Sequence, residues 1–154
     1  MRAMRFGERG GPWVAAQLPL MLAAVALPPW LDDVAGGAAR AGAIALLAAG
    51  MALGIWSKLA LGESFTPYPK PLEGGHHVAR GPYRFVRHPM YCAIVVSAIG
   101  WALLWQSVAG ATCAAALLVF FDLKARREEA WLVEAYPGYA EYRRRTRKLI
   151  PFLY

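Results

Sequence analysis

The stretch Arg80-Gly-Pro-Tyr-Arg-Phe-Val-Arg-His-Pro-Met-Tyr-Cys-Ala93 contains three arginines, a histidine, two tyrosines and two prolines, and an apolar run begins directly after it. Charge this dense at the start of a hydrophobic segment is typical of a membrane-interface anchor, or of the floor of a site that opens at the interface. Pro89 suits the first position of a helix, with His88 in the capping position before it. The stretch therefore predicts a helix that enters an apolar layer from an end rich in chemical groups.

The composition of the whole chain indicates a membrane protein. Of its 154 residues, 58% are hydrophobic and 18% are charged, whereas a soluble domain has about 25% charged residues. The basic residues, which give a net charge of +7, flank the apolar blocks. This favours positive-inside topology over nucleic-acid binding. Cys92 and Cys113 lie inside apolar runs without metal-type spacing, so we interpret them as small buried side chains.

Four apolar runs are predicted to cross a membrane, namely residues 13–31, 38–61, 90–105 and 108–123. The first run, at about 19 residues, can span ~30 Å of hydrocarbon, whereas the last two, at about 16 residues each, are short for a crossing. Pro19 is predicted to kink the first helix and the Pro28-Pro29 pair to close it. A basic start before an apolar run also occurs in signal peptides, but this run is longer and lacks the small-x-small cleavage pattern. The last two runs, joined at Gln106-Ser107, predict a helical hairpin.

The second run contains Gly50 and Gly54, four residues apart, in a segment rich in alanine. This small-xxx-small spacing lets helices approach closely. Because such matches are common in alanine-rich helices, we expect packing within the chain rather than a dedicated dimer face.

Residues 62–89 form the long polar connection of the chain and are predicted to be an ordered interfacial loop. Pro67, Pro69 and Pro71 favour extended backbone there, and Gly74-Gly75 adds a joint before His76-His77. Two adjacent histidines without a third ligand nearby do not make a metal site, so no metal is expected.

Residues 124–148 carry an amphipathic, charge-rich pattern broken at Tyr136-Pro137-Gly138, which predicts helices on the cytoplasmic face. With four spans both termini share one side, and every lysine and arginine except Arg40 falls on that side. The positive-inside rule makes it cytoplasmic, as in a bacterial inner membrane. The expected fold is thus an all-α integral membrane protein of about four transmembrane helices, with residues 1–154 forming a single domain.

Several groups on that face can carry chemistry. Gly81-Pro82 predicts a tight turn that exposes backbone amides to a ligand, and Tyr83 and Tyr91 offer aromatic faces and hydroxyls. His88 lies at a helix N-terminus, which favours an anionic group.

Glu128 and Glu129 point to different sectors of their helix, so one can pair with Arg126 or Arg127 while the other turns inward. Which of the two faces inward stays open. Simpler alternatives also stay open, with both carboxylates solvated and His88 acting only as a helix cap. Tyr139 and Tyr142 could likewise be interface anchors.

Taken together, these residues resemble a known family. The motif is Gly81-Pro82-Tyr83-x-x-x-Arg87-His88-Pro89-x-Tyr91, then an apolar hairpin, then Arg127-Glu128-Glu129-x-x-Leu132 and Tyr136-Pro137-x-Tyr139-x-x-Tyr142. It is similar to that of the isoprenylcysteine carboxyl methyltransferases and the related phospholipid N-methyltransferases, over roughly Phe65 to Pro151. One departure is Ala93, where the family commonly has glycine.

The resemblance implies methyl transfer from S-adenosylmethionine to a lipophilic acceptor at the cytoplasmic face, the acceptor being a lipid amine, an isoprenylcysteine-like carboxylate or a small lipophilic molecule. The implied cofactor-binding residues are Val78, Arg80, Gly81, Tyr83, His88, Pro89, Tyr91 and Glu129. The implied catalytic residues are Glu129, Arg126 and Tyr142. His88 would meet the cofactor carboxylate and Glu129 its ammonium or sulfonium group.

Two other classes of function stay open. One is a non-catalytic membrane protein, such as a transporter subunit or scaffold, although the spans lack charge at their centres, where a transporter needs it. The other is a regulator of respiratory or nitrogen metabolism with a related fold. For an enzyme, we expect a lipid or small lipophilic acceptor rather than a prenylated protein, because no separate domain is left to hold a protein. Gly50 and Gly54 would provide a gap that opens to the bilayer.

Overall fold

The computed structural model describes residues 7–70 and 77–150. Within these residues the chain forms five α-helices, which are α1 (Gly11–Leu31), α2 (Gly37–Leu61), α3 (Pro89–Leu104), α4 (Val108–Ala135) and α5 (Tyr139–Arg145). Short 3-10 turns occupy Gly7–Arg9, Gly62–Ser64 and Gly81–Arg84. The expectations for Arg2, Arg5, Pro71, Gly74-Gly75, His76 and the last four residues lie outside the described part.

The helices make this an all-α integral membrane protein, as the sequence predicts. In the described residues, three segments are long and apolar enough to cross a bilayer: Gly11–Leu31, Gly37–Ser64 and Val108–Ala135. Helix α3 is apolar but has only 16 residues. Large side chains such as Leu22 and Leu59, 68% and 72% exposed, point outward where lipid would cover them.

The helix bounds agree with the predicted runs except at the end of α4. Helix α1 ends at Leu31, as its run predicts, with Pro28 and Pro29 in its last turn, and the Asp32 amide closes this end by donating to the Pro28 carbonyl. Helix α4 runs without a break to Ala135, so the amphipathic segment predicted from residue 124 begins as the last three turns of the same helix. Its 28 residues span about 42 Å at 1.5 Å per residue, more than the hydrocarbon thickness.

Glycines bring α2 and α3 into backbone contact. A Cβ added at Gly50 would lie 2.8 Å from the Ser97 nitrogen, and one at Gly100 would lie 2.7 Å from the Leu47 nitrogen. Gly50 therefore packs within the chain, as its spacing predicts. A Cβ at Gly54 would meet only the Ala93 Cβ, at an ordinary 3.5 Å, so this position is less crowded.

The bundle has two ends of different character. At one end the short α1–α2 and α3–α4 connections meet, where the Ala35 amide donates to the Leu104 carbonyl over 2.7 Å. At the other end lie the start of α1, the segment between α2 and α3, and α5. All described lysines and arginines except Arg40 belong to elements of this second end or adjoin it. The candidate site lies there.

Candidate functional site

The segment before α3 is held in place by the chain that follows α5. The Arg87 amide donates to the Arg147 carbonyl over 2.8 Å, and the His88 amide donates to the Lys148 carbonyl over 3.1 Å. Val86 and Arg147 thereby form a parallel bridge. This pairing fixes the backbone from which Arg87 and His88 extend toward α4.

Glu129 on α4 is the centre of a buried ionic network. Its Oε1 lies 2.7 Å from Arg87 Nε and 3.1 Å from His88 Nε2, while Oε2 lies 3.2 Å from Arg143 Nε. Only 3% of Glu129 is exposed. Arg87 also donates to the carbonyls of Arg143 and Thr146. Glu129 is thus in contact with two arginines and one histidine of the protein.

His88 occupies the N-cap position of α3, but its side chain makes no capping hydrogen bond. Its ring instead reaches Glu129 and stacks on Tyr91, with ring centroids 5.3 Å apart and planes 3° from parallel. Tyr91 stacks in turn on Phe121 at 4.6 Å. The Tyr91 hydroxyl donates to Glu128 Oε2 over 2.5 Å. This chain of contacts joins the two neighbouring carboxylates through one histidine and one tyrosine.

A cleft opens beside this network, between the end of α2, the start of α3 and the last turns of α4. Its polar lining includes His77, His88 and Glu128, and residues 64–66 and 68–69 form part of one wall. Glu129 does not line it. Of the two carboxylates that the sequence could not separate, Glu128 therefore faces the cleft and Glu129 lies behind His88.

Aromatic rings enclose His77 on the α5 side of the cleft. Its ring centroid lies 4.4 Å from that of Tyr142, 5.2 Å from Tyr139 and 6.4 Å from Tyr136. Burial lowers the pKa of His77 below its ordinary value of 6.5, which favours the neutral ring. Its Nε2 is buried and has no hydrogen-bond partner among the described residues. A polar atom in this state is suited to a ligand.

The tyrosines of the cleft keep their protons. Burial, followed by the charge of Glu128, raises the pKa of Tyr83. Burial also raises the pKa of Tyr142 to about 12. The Tyr142 hydroxyl donates to the Tyr83 carbonyl over 2.5 Å, so it ties α5 to the Gly81–Arg84 turn as well as lining the cleft.

The structure brings together some of the residues named from sequence and separates others. Those that line the cleft are Val78, Tyr83, His88, Tyr91 and Tyr142. Pro89 is the buried first residue of α3. Arg80 is exposed and donates through Nε to the Ala60 carbonyl at the end of α2. Gly81, at φ +58°, packs against Ala60 and Trp56. The Arg126 side chain is 63% exposed and pairs with Asp122, outside the cleft.

Sequence reasoning did not assign roles to four residues at this site: His77, Arg87, Lys124 and Arg143. From its sequence context, His77 suggests at most a metal ligand, and the described residues contain no cluster that could hold a metal. Lys124 was counted with the interfacial cations, yet it is 2% exposed. A signal was available, because Lys124 lies one helical turn before Glu128 and shares its inward face.

A second cavity of about 400 Å³ lies between α1, α2 and α3. Its lining is almost entirely apolar and includes Met21, Met51, Gly50 and Gly54. Met90, in the first turn of α3, lines both this cavity and the polar cleft. The two spaces therefore share a wall.

Two comparisons with known proteins show what the chain is similar to. A segment of 77 residues is 35% identical to the cobalt-zinc-cadmium resistance protein CzcN of Cupriavidus metallidurans and covers 49% of this chain. It spans 36% of that relative, so the match covers about a third of its length. The sequence model of the phospholipid methyltransferase family matches residues 38–138, from α2 to the break before α5. The resemblance read from the motifs is thereby confirmed, and the chain belongs to the phospholipid methyltransferase family of integral-membrane methyltransferases.

Proposed function

We propose that the protein transfers a methyl group from S-adenosylmethionine to a lipophilic acceptor at the cytoplasmic face of the bacterial inner membrane. The family supports membrane methyltransferase activity in general. The observation that carries the finer proposal is Met90, which separates a polar, aromatic cleft from an apolar cavity between the membrane helices. A donor in the first space and an acceptor in the second would be separated by this shared wall.

The cleft residues fit the cofactor by their chemistry. S-adenosylmethionine supplies an electrophilic methyl group on a sulfonium, and it also carries an adenine ring, an ammonium and a carboxylate. Tyr83, Tyr139 and Tyr142 offer rings for the adenine. The Nε2 of His77, which has no hydrogen-bond partner among the described residues, offers a polar contact. Glu128, rather than the enclosed Glu129, is the carboxylate available for the ammonium.

The protein's own contribution is alignment and exclusion of water, because methyl transfer is an in-line displacement. Glu129 holds Arg87 and His88, and His88 supports the Tyr91 ring. The Tyr91 hydroxyl then donates a hydrogen bond to Glu128 and fixes the orientation of that carboxylate. If the acceptor is an amine, it must reach the methyl group unprotonated, because a protonated amine has no lone pair with which to attack.

The apolar cavity supports a lipid or small lipophilic acceptor. Among its described lining residues none is charged, and Ser97 supplies a side-chain hydroxyl. An acyl chain or another apolar body needs only the space beside Gly50 and Gly54.

The deciding experiment uses purified protein, S-adenosylmethionine with a labelled methyl group and a membrane lipid extract. We expect a labelled lipophilic product, lost in Glu128→Gln and retained in Glu141→Gln, a change at an exposed carboxylate that pairs with Arg145. Absence of cofactor binding by calorimetry would refute the proposal. Reporter fusions after Tyr154 and within Asp32–Gly37 test the orientation, and a periplasmic C-terminus would reverse it.

A further inference from the structure

Lys124 places an ammonium group inside the helix bundle. It is 2% exposed, and its Nζ donates to Gln17 Oε1 over 2.6 Å and to the Pro67 carbonyl over 3.0 Å. The same Nζ lies 5.3 Å from the centroid of the Tyr91 ring. A buried ammonium is costly unless its protons find partners. These contacts meet that need, and they join α4, α1 and the segment after α2 at one point.

The segment that Lys124 holds is also gripped by the start of α1. The Arg9 guanidinium lies 4.5 Å from the centroid of the Tyr68 ring. A Cβ added at Gly10 would lie 2.9 Å from Pro69 Cδ, and Gly10 has φ +81°, a conformation that favours glycine. Three consecutive residues, 67 to 69, are thus each held by a different contact.

This gripped segment forms part of the cleft wall. Thr66, Tyr68 and Pro69 line the cleft, whereas neither Lys124 nor Gln17 does. The contacts of Lys124 and Gln17 are therefore with the wall and not with the space of the cleft. They act on the wall, and Lys124 also lies over Tyr91, which lines the cleft from the opposite side.

We infer that Lys124 and Gln17 are a positioning pair that sets the 65–70 segment against the cofactor cleft, so that cofactor affinity depends on a contact between α1 and α4. This inference rests on the proposed function. Gln17 and the Arg9–Gly10 grip lie before residue 38, where the family match begins. Some of the contacts that hold the 65–70 segment therefore come from a region of the chain outside that match.

The test compares two substitutions that remove the Lys124–Gln17 hydrogen bond with one substitution that keeps it. Lys124→Met and Gln17→Met keep side-chain length and remove the hydrogen bond, while Gln17→Glu keeps an acceptor oxygen for Lys124. Thr112→Val is the control, because it removes the Thr112 hydroxyl bond to the Val108 carbonyl at the far end of α4. Each full-length protein is purified in detergent. The measurements are the Kd for S-adenosylmethionine, kcat at saturating cofactor with the membrane lipid extract as acceptor, and hydrogen exchange of peptide 62–70.

We expect Lys124→Met to raise the Kd about tenfold, the effect of one lost hydrogen bond to a charged group, with kcat within twofold. Exchange in peptide 62–70 should be faster in both methionine variants and unchanged in Gln17→Glu and Thr112→Val. A wild-type Kd in Lys124→Met would overturn the inference, and so would equal losses in kcat and affinity. If the wild type binds no cofactor, the proposed function fails by itself. Unchanged exchange in Lys124→Met would then overturn the pairing independently.

Discussion

The adjacent carboxylates Glu128 and Glu129 should respond differently when each loses its charge. Glu129→Gln leaves Arg87 and His88 without their anionic partner in a site where the two side chains of the Arg87–Glu129 pair are only 10% and 4% exposed. Removing one partner of a buried pair costs about 3–5 kcal/mol. The half-exposed Arg143 adds little, and glutamine keeps one acceptor oxygen for Arg87. We therefore expect a loss of about 3 kcal/mol in the free energy of unfolding.

Glu128→Gln should instead affect binding. The Glu128 side chain is 24% exposed, and glutamine can still accept the hydrogen bond from Tyr91. The stability loss should stay below about 1 kcal/mol, as for an ordinary hydrogen bond. A cofactor ammonium that loses its carboxylate partner should bind roughly ten- to hundredfold more weakly, since charged hydrogen bonds contribute about 1.5–3 kcal/mol.

Two measurements on detergent-purified protein separate these effects. Tryptophan fluorescence during heating, at one fixed scan rate because such unfolding is often irreversible, should show Tm lowered by about 6–12 °C in Glu129→Gln, at about 2–4 °C per kcal/mol. Calorimetric titration with S-adenosylmethionine should show the affinity loss in Glu128→Gln. Equal Tm losses in the two variants, or wild-type affinity in Glu128→Gln, would refute the division of roles.

Three further predictions follow from packing and titration. Gly100→Ala should lower the free energy of unfolding by about 1–3 kcal/mol, because the added Cβ would meet the Leu47 backbone at 2.7 Å. Gly54→Ala should be tolerated, and similar Tm values for the two variants would contradict the α2–α3 contact. Gly54→Leu should fill the apolar cavity and reduce acceptor turnover with cofactor Kd unchanged, and normal turnover would place the acceptor elsewhere. Burial lowers the pKa of His77 in the folded protein, so as the pH falls the unfolded chain takes up this proton first. The free energy of unfolding should therefore decrease as pH drops below 6.5 toward the lowered pKa. His77→Phe should remove this part of the pH dependence, and a Tm–pH profile unchanged by that substitution would show that His77 does not contribute.

The helices could be predicted from sequence because hydropathy and the positions of prolines determine where a helix begins and ends without reference to distant parts of the chain. The apolar runs coincide with α1, α2 and α3 to within two residues at each end. The Asp122–Arg126 pair also follows from local spacing, since the two residues are one helical turn apart. Its side chains do meet, at 2.8 Å. The side chain of Arg126, predicted to be catalytic, therefore lies with Asp122 outside the cleft.

The assignment of the inward carboxylate could not be made locally. Both glutamates fall near the inward face of α4, and only the rotation of this helix against its neighbours separates them. Leu117, Phe121 and Ala125 are each at most 1% exposed, and they continue in steps of four to Glu129. This series places Glu129 deepest and turns Glu128 toward the start of α3. Rotation of α4 is set by packing with α1 and α3, which a single sequence does not specify.

The short helix α3 explains how a polar cleft and an apolar cavity come to share one residue. Its 16 residues rise about 24 Å, which is about 6 Å less than the ~30 Å of hydrocarbon. The connection after α3 is hydrogen-bonded to the α1–α2 turn through Ala35 and Leu104. The difference between the helix length and the hydrocarbon thickness is therefore assigned to the other end of α3, which carries His88 and Met90. In the proposed function, the first turn of α3 would lie at the depth of the acyl chains rather than above them. The ionic network of Glu129 would then satisfy charges that this depth would otherwise leave exposed to lipid. In the proposed function, a water-soluble donor would approach from the cytoplasmic side and a lipophilic acceptor from the bilayer, so that neither would have to enter the medium of the other.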